Sequence, residues 1–222
     1  MYVPPLYRPA DLTVQHQLIE RHRFGQLTTI IDGRLHGVHI PFVLDPQHGP
    51  YGRLRAHLAK ANPVVAALRA GTAAMVAFTG PHSYICPDDY ATDPHFPTWN
   101  YAAVHVHGRP SLLTGAEELR QLTDLIAAEE ARRLPKTPWT LARVPDELIA
   151  QYRTMIVAFE LPIDTIEGIF KLGQNKEPSD VDAQIAALRS RGEPDTAGIA
   201  ALLETHNAAA LDEHRAAREG AR

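Results

Sequence analysis

The chain has a single cysteine, Cys86, among 222 residues. No internal disulfide can form, and a cysteine cluster for zinc is excluded, so the fold must rest on packing or association. Apolar runs such as residues 73–78 fall far short of the roughly 20 residues that a membrane-spanning helix needs. Residues 1–5, MYVPP, lack the basic and apolar regions of a signal peptide, which makes a cytoplasmic protein the expectation. There is no excess of positive charge: the formal net charge is −4, so the chain as a whole carries no electrostatic footprint for gripping a nucleic-acid duplex. A Gly-rich dinucleotide fingerprint, a phosphate-cradling Walker loop and a serine-hydrolase elbow are all missing. So is any Ser/Gly-rich linker.

What is present is enough apolar residue, 45% of the chain, to bury one sizeable core. Asp11 precedes a helical spacing of Leu12, Leu18 and Ile19, which predicts a helix over 11–22. Residues 24–31 read as a strand, Asp32-Gly33 as a hairpin turn, and 35–44 as a second strand alternating at Val38, Ile40, Phe42 and Leu44. Asn62, Pro63 and Gly71 bracket a short helix over 63–70. Residues 73–78 read as a strand buried on both faces and stopped by Gly80-Pro81. Alternation resumes over 101–113 and again from Met155 to Ile163; Thr114 and Glu117 form a capping-box pattern ahead of a helix at 115–131. Two amphipathic helices are expected beyond Asn175. Strands that close on themselves, with helices at the rim, imply a small barrel of the α+β class.

Four polar clusters stand in this apolar setting. His39, beside Pro41, is either a solvent-facing strand residue or part of a pocket. His57, Lys60 and Asn62 lie just ahead of the short helix, where a cation and free N–H groups suit an anion; the plainer role of Lys60 is a solvated lysine and that of Asn62 a cap. Thr98, Trp99 and Asn100 combine a flat aromatic with amide and hydroxyl groups, as a planar ligand would require, although Trp99 would serve equally as a core anchor. Lys171 and Gln174 belong to a charged, amide-rich run whose plainer reading is a turn. His105 and His107 share a strand face, but no third ligand is evident, and a metal site is not expected. Cys86 reads as an inert, buried thiol.

Taken in order, Met1-Tyr2-Val3-Pro4 with Tyr7-Arg8, His39-Ile40-Pro41-Phe42, His57 through Pro63, Gly80 through Ile85, Pro97 through Tyr101 with Val104-His105-Val106, Pro138-Trp139, and Lys171-Leu172 with Gln174-Asn175 resemble the PaiB-like FMN-binding negative transcriptional regulator family. The resemblance covers about residues 1 to 190. It implies an FMN-binding split β-barrel with peripheral helices, working as a homodimer with the flavin between the chains. It marks His39, His57, Lys60, Asn62, Thr98, Trp99, Asn100, Lys171 and Gln174 as cofactor-binding positions, with Lys60 and Lys171 serving the phosphate. A split-barrel cofactor domain over 1–175 and a helical appendage over 176–222, its tail free to be disordered, are the expected organisation. Cys86, Asp89, Phe170 and Gly173 depart from the family's usual Ser, Trp, Trp and Ser. One branch of the family resembles haem-dependent enzymes that form a nitrogen–nitrogen bond to make piperazate; there haem b would replace FMN, with His57 or His39 as axial ligand. Flavin-dependent oxidoreduction is a further alternative. Direct DNA binding has no support from a helix-turn-helix pattern or from charge.

Overall fold

The computed structural model describes residues 1–220. Helix α1 (Leu12–Arg21) leads into strands β1 (Phe24–Ile31) and β2 (Arg34–Pro41), paired antiparallel from Ile31↔Arg34 to Phe24↔Pro41. Their turn has positive φ at both Asp32 (49°) and Gly33 (73°), the handedness that a two-residue hairpin demands. The expected second strand does not run unbroken to Leu44. It ends at Pro41; the Phe42 N–H donates to the Arg23 carbonyl, and β3 (Val43–Asp45) pairs instead with β4 (Arg53–Ala59). Proline has no N–H to give the ladder, so the chain changes partner there.

Helix α2 (Val64–Arg69) follows Asn62, whose side-chain oxygen accepts the Val64 N–H at 2.9 Å, and Gly71 beyond its end has φ of 61°. Strand β5 (Ala74–Ile85) corrects the reading of residues 73–78 in two respects. It alternates, with Ala74, Val76 and Phe78 buried while Met75 and Ala77 are partly open, and it continues through Gly80-Pro81. Proline biases the residue before it toward extended backbone, which suits a strand as well as a turn. Strands β6 (Thr98–Gly108), β7 (Ser111–Leu113) and β8 (Ile156–Lys171) complete the sheet; α3 (Gly115–Glu130) and α4 (Asp146–Arg153) lie between β7 and β8 in the chain. Thr114 makes no side-chain cap, so the capping box is not formed. Three helices, not two, close the described chain: α5 (Pro178–Arg191), α6 (Pro194–His206) and α7 (Ala208–Gly220).

The eight strands form an antiparallel sheet in the order β2-β1-β5-β6-β8-β4-β3, with β7 on β8, and the α+β class is the one observed. The chain divides into two compact units. The first (residues 1–11, 79–103 and 168–222) buries Ile85, Phe170, Leu172, Ile185, Leu188, Ile199 and Leu203, with Gly198 against the Pro81 ring, where a Cβ would come within 2.6 Å. The second (12–78 and 104–167) is built on Phe42, Phe78 and Phe159, all fully buried, with Phe42 edge-on to both neighbours. Each such side chain removed from water contributes about 1.5–3 kcal/mol. In this unit a Cβ on Gly108 would sit 2.1 Å from the Pro162 carbonyl oxygen, so β6 and β8 approach as closely as they do because that residue has no side chain.

Candidate functional site

The first unit contains a cavity of about 270 Å³ whose walls include Tyr7, Tyr90, His95, Phe96, Thr98, Asn100, Lys171, Lys176 and Gln184. Strand alternation sets the β6 contribution: Asn100 is buried and Thr98 half-buried on the cavity side, whereas Trp99 between them is 48% exposed and packs near His82 and Tyr84. Lys171, the last residue of β8, donates from Nζ to Thr98 Oγ1 at 2.5 Å. Asn100 donates from Nδ2 to Gln184 Oε1 at 3.2 Å, and Gln184 Nε2, fully buried, has no acceptor among the described residues. Three positions singled out in the sequence, Thr98, Asn100 and Lys171, thus meet at one cavity. Gln174 does not line it: its amide folds back, accepting from Leu172 N and donating to Phe170 O, and so closes the turn after β8. Gly173, with φ of 72°, takes a left-handed conformation there that serine would resist.

A buried carboxylate that reaches the cavity only through the lining residue His95 went unnoticed in the sequence. Asp180, in the first turn of α5 and 1% exposed, accepts from the backbone N–H groups of Ala91 and Thr92 and from the Thr92 hydroxyl, all at 3.0 Å. His95 Nε2 lies 3.1 Å from its other oxygen. The His95 ring stacks on Tyr90 at 4.0 Å, and Lys176 Nζ reaches His95 Nδ1 at 3.2 Å while standing 5.0 Å above the Tyr90 ring. Burial, then the charges of Asp180 and Asp89, push the Tyr90 phenol up from its ordinary value. The proline at N1 of α5 and an acid in its first turn are a visible helix-start signal; nothing in the sequence reports that Asp180 meets His95. Asp89 is satisfied by the nearby Cys86 N–H and by Arg191 of α5. Cys86 itself is only half-buried.

The second unit holds the other singled-out positions. His57 on β4 is half-buried, and its Nδ1 lies 3.0 Å from Gln121 Oε1 on α3. Arg55, two residues earlier on the same strand face and 6% exposed, pairs with Asp124 at 2.7 Å while its Nε and Nη1 have no acceptor among the described residues; Gln121 Nε2 has none either. Arg55 is a residue that sequence reasoning passed over, although its alternation with His57 was there to read. Asn62 is occupied in holding the start of α2. Lys60 is exposed, as is His39, whose ring stacks on Phe24 at 6.1 Å. His107 Nε2 stands 3.6 Å from a Glu167 carboxylate oxygen, and among the described residues no group of three or more His, Cys, Asp or Glu could hold a metal ion.

Burial is the leading cause holding His57, His105 and His206 below the ordinary histidine value of 6.5. A group whose folded value is depressed binds its proton more readily when unfolded, so stability is full above pH 6.5 and falls as pH drops through the lower folded values. Urea midpoints should therefore decline from pH 7.5 to about pH 5, and His57→Gln should flatten that decline. A midpoint that rose on acidification would contradict the assignment.

The model of a family described as "Putative FMN-binding domain" matches residues 1–165. "Protease synthase and sporulation protein PAI 2" of Bacillus subtilis is 28% identical over 204 residues, 92% of this chain and 97% of that protein. Among solved structures, the FAD and haem binding protein of Mycobacterium smegmatis superposes with a TM-score of 0.56 at 16% identity, over 75% of this chain and 74% of that one. The flavocytochrome Anf3 of Azotobacter vinelandii gives 0.52 at 16%, over 75% and 70%. The fold is the split barrel expected from the resemblance. Among the described residues no helix is long and apolar enough to cross a membrane.

Proposed function

The chain belongs to the family described as "Putative FMN-binding domain", and from that premise we propose that it binds FMN as a homodimer. The observation that carries this reading is the meeting of Thr98 and Asn100 of β6 with Lys171 of β8 at one cavity. The cavity fits an anionic group. Lys171 and Lys176 both line it and neither pairs with a carboxylate among the described residues, while Gln184 Nε2 offers a buried donor with no acceptor. Its volume lies below the roughly 300–1,000 Å³ of pockets that enclose a drug-sized ligand, so it suits one end of a flavin mononucleotide and not the whole. Lys171 and Thr98 are assigned to the phosphate. His39, His57, Lys60, Asn62, Trp99 and Gln174 remain candidates through the family pattern, Lys60 by its free charge and Asn62 and Gln174 by holding the backbone around them. FMN, when bound, supplies hydride and single-electron chemistry.

The dimer has support in the second unit. The outer face of the β1–β2 hairpin carries Phe24, Ile30 and Leu35 at 54–75% exposure, with Gln26, Thr28, Gly37 and His39 between them and no charge. An uncharged sheet face of this kind is what a second copy would cover. The regulator role is assigned to the flavin-loaded dimer acting through a local basic surface or a partner, because the net charge of −4 gives no general grip on a duplex.

One observation favours haem as a second reading. Burial draws His57 below the ordinary histidine value, and with Nδ1 set against Gln121 its Nε2 would be the nitrogen offered to a haem iron, as hydrogen-bond partners orient metal-bound imidazoles. Absorbance and light scattering of the purified protein separate the readings. Flavin bands and a mass of twice the 24.5 kDa chain are expected. A Soret band lost in His57→Ala would replace FMN by haem, and a mass of one chain at micromolar concentration would end the dimer.

A further inference from the structure

We propose that the cavity of the first unit is a phosphoryl-group site whose second cation is Lys176, set in place by half-buried His95 on buried Asp180. A lone lysine on a turn after a strand would have no fixed position. Here Asp180 Oδ1 is anchored by two backbone N–H groups and the Thr92 hydroxyl, and its Oδ2 lies 3.1 Å from His95 Nε2, with the same hydroxyl 3.1 Å from Oδ2 and 3.0 Å from Nε2. A carboxylate at that nitrogen calls for a proton on Nε2, and an ammonium at Nδ1, which can only donate, calls for a lone pair there. Lys176 donates to that lone pair at 3.2 Å, and its approach is steadied by the Tyr90 ring beneath. An ammonium has three protons, so one bond to His95 leaves two for a ligand. Lys171, held by Thr98, brings a second ammonium to the same walls, and Gln184 Nε2 a neutral donor.

The charge balance selects the ligand class. Asp180 is committed to its own donors and to His95, and neither lysine faces a carboxylate among the described residues, so the cavity holds positive charge with donors in excess. A phosphate monoester, with up to two negative charges and three acceptor oxygens, answers both conditions. Lys176 is on this account a binding residue; His95 and Asp180 are positioning residues that act through it. Lys176 and Asp180 lie beyond residue 165, where the family match ends. The inference relies on the flavin reading only for the identity of the natural ligand.

The test uses the full chain and inorganic phosphate, titrated by calorimetry and by phosphorus NMR, with FMN and riboflavin alongside. Wild type should bind phosphate saturably. Lys176→Gln should weaken it about ten- to a hundredfold, the worth of one charge-assisted hydrogen bond, and Lys176→Arg should recover much of the loss. His95→Gln should weaken phosphate in the wild type and add little to Lys176→Gln, because the two act as one unit. Independent, additive losses would reduce His95 to a structural role and overturn that part. Unchanged phosphate affinity in Lys176→Gln, at an unchanged melting temperature, would remove the site, as would absence of saturable binding in the wild type. FMN should weaken in parallel and riboflavin should not. Phosphate binding that obeys these rules without FMN binding would sustain the site and defeat the flavin reading; FMN binding indifferent to Lys176 would do the reverse.

Discussion

Phe159→Ala is expected to cost about 3–5 kcal/mol of folding stability. Phe159 is fully buried in the first part of β8, opposite Ala56 of β4 on one side and Leu112 of β7 on the other. Its ring stands edge-on to Phe42 at 6.3 Å, and Phe42 stands edge-on to Phe78 at 5.6 Å. Truncation removes the transfer energy of the ring and leaves a void between paired strands, whose hydrogen bonds keep the walls from collapsing inward. Phe159→Leu retains most of the volume and should lose less than about 1.5 kcal/mol. Urea denaturation should show the alanine midpoint falling with the slope unchanged. A loss under 1 kcal/mol would mean that the three rings do not form the centre of the second unit's core.

Asp124→Ala should be nearly as damaging, at about 2–3 kcal/mol, for a different reason. The Arg55 side chain is 7% exposed and Asp124 is its partner at 2.7 Å, while two of its nitrogens already lack acceptors. Removing the carboxylate leaves a buried guanidinium without its counter-charge, which costs about 3–5 kcal/mol in fully buried pairs. Asp124 is 38% exposed, so water screens part of that and the expectation is set lower. The double variant Arg55→Met/Asp124→Ala removes both charges and should recover most of the loss. If the double variant is as unstable as the sum of its single changes, the pair is not the source of the effect.

Local chemistry made much of the second unit readable. Asp32-Gly33 needed positive φ at both positions and has it; Asn62, Pro63 and Gly71 bracket α2 as their backbone preferences require. These signals lie within a few residues of what they control. Where a strand's end depends on its partner, the sequence was a poorer guide: β2 stops at Pro41 because β3 pairs with β4, and β5 runs past Gly80-Pro81.

The sequence by itself determined the class of fold, the short-range turns and caps, and a set of polar positions from which Thr98, Asn100 and Lys171 were singled out. Those rest on alternation, conformational preference and ordered motifs, all of which are properties of neighbouring residues. Only the tertiary structure decided which of those side chains share a cavity, that strand alternation turns Trp99 away from it, and that Gln174 is spent on its own turn. It alone brought Asp180 on α5 against Thr92 and His95, and set Arg55 against Asp124. A hydrogen bond acts over about 3 Å of space while its partners can lie anywhere along the chain, so such pairings leave no period or spacing for a sequence to display.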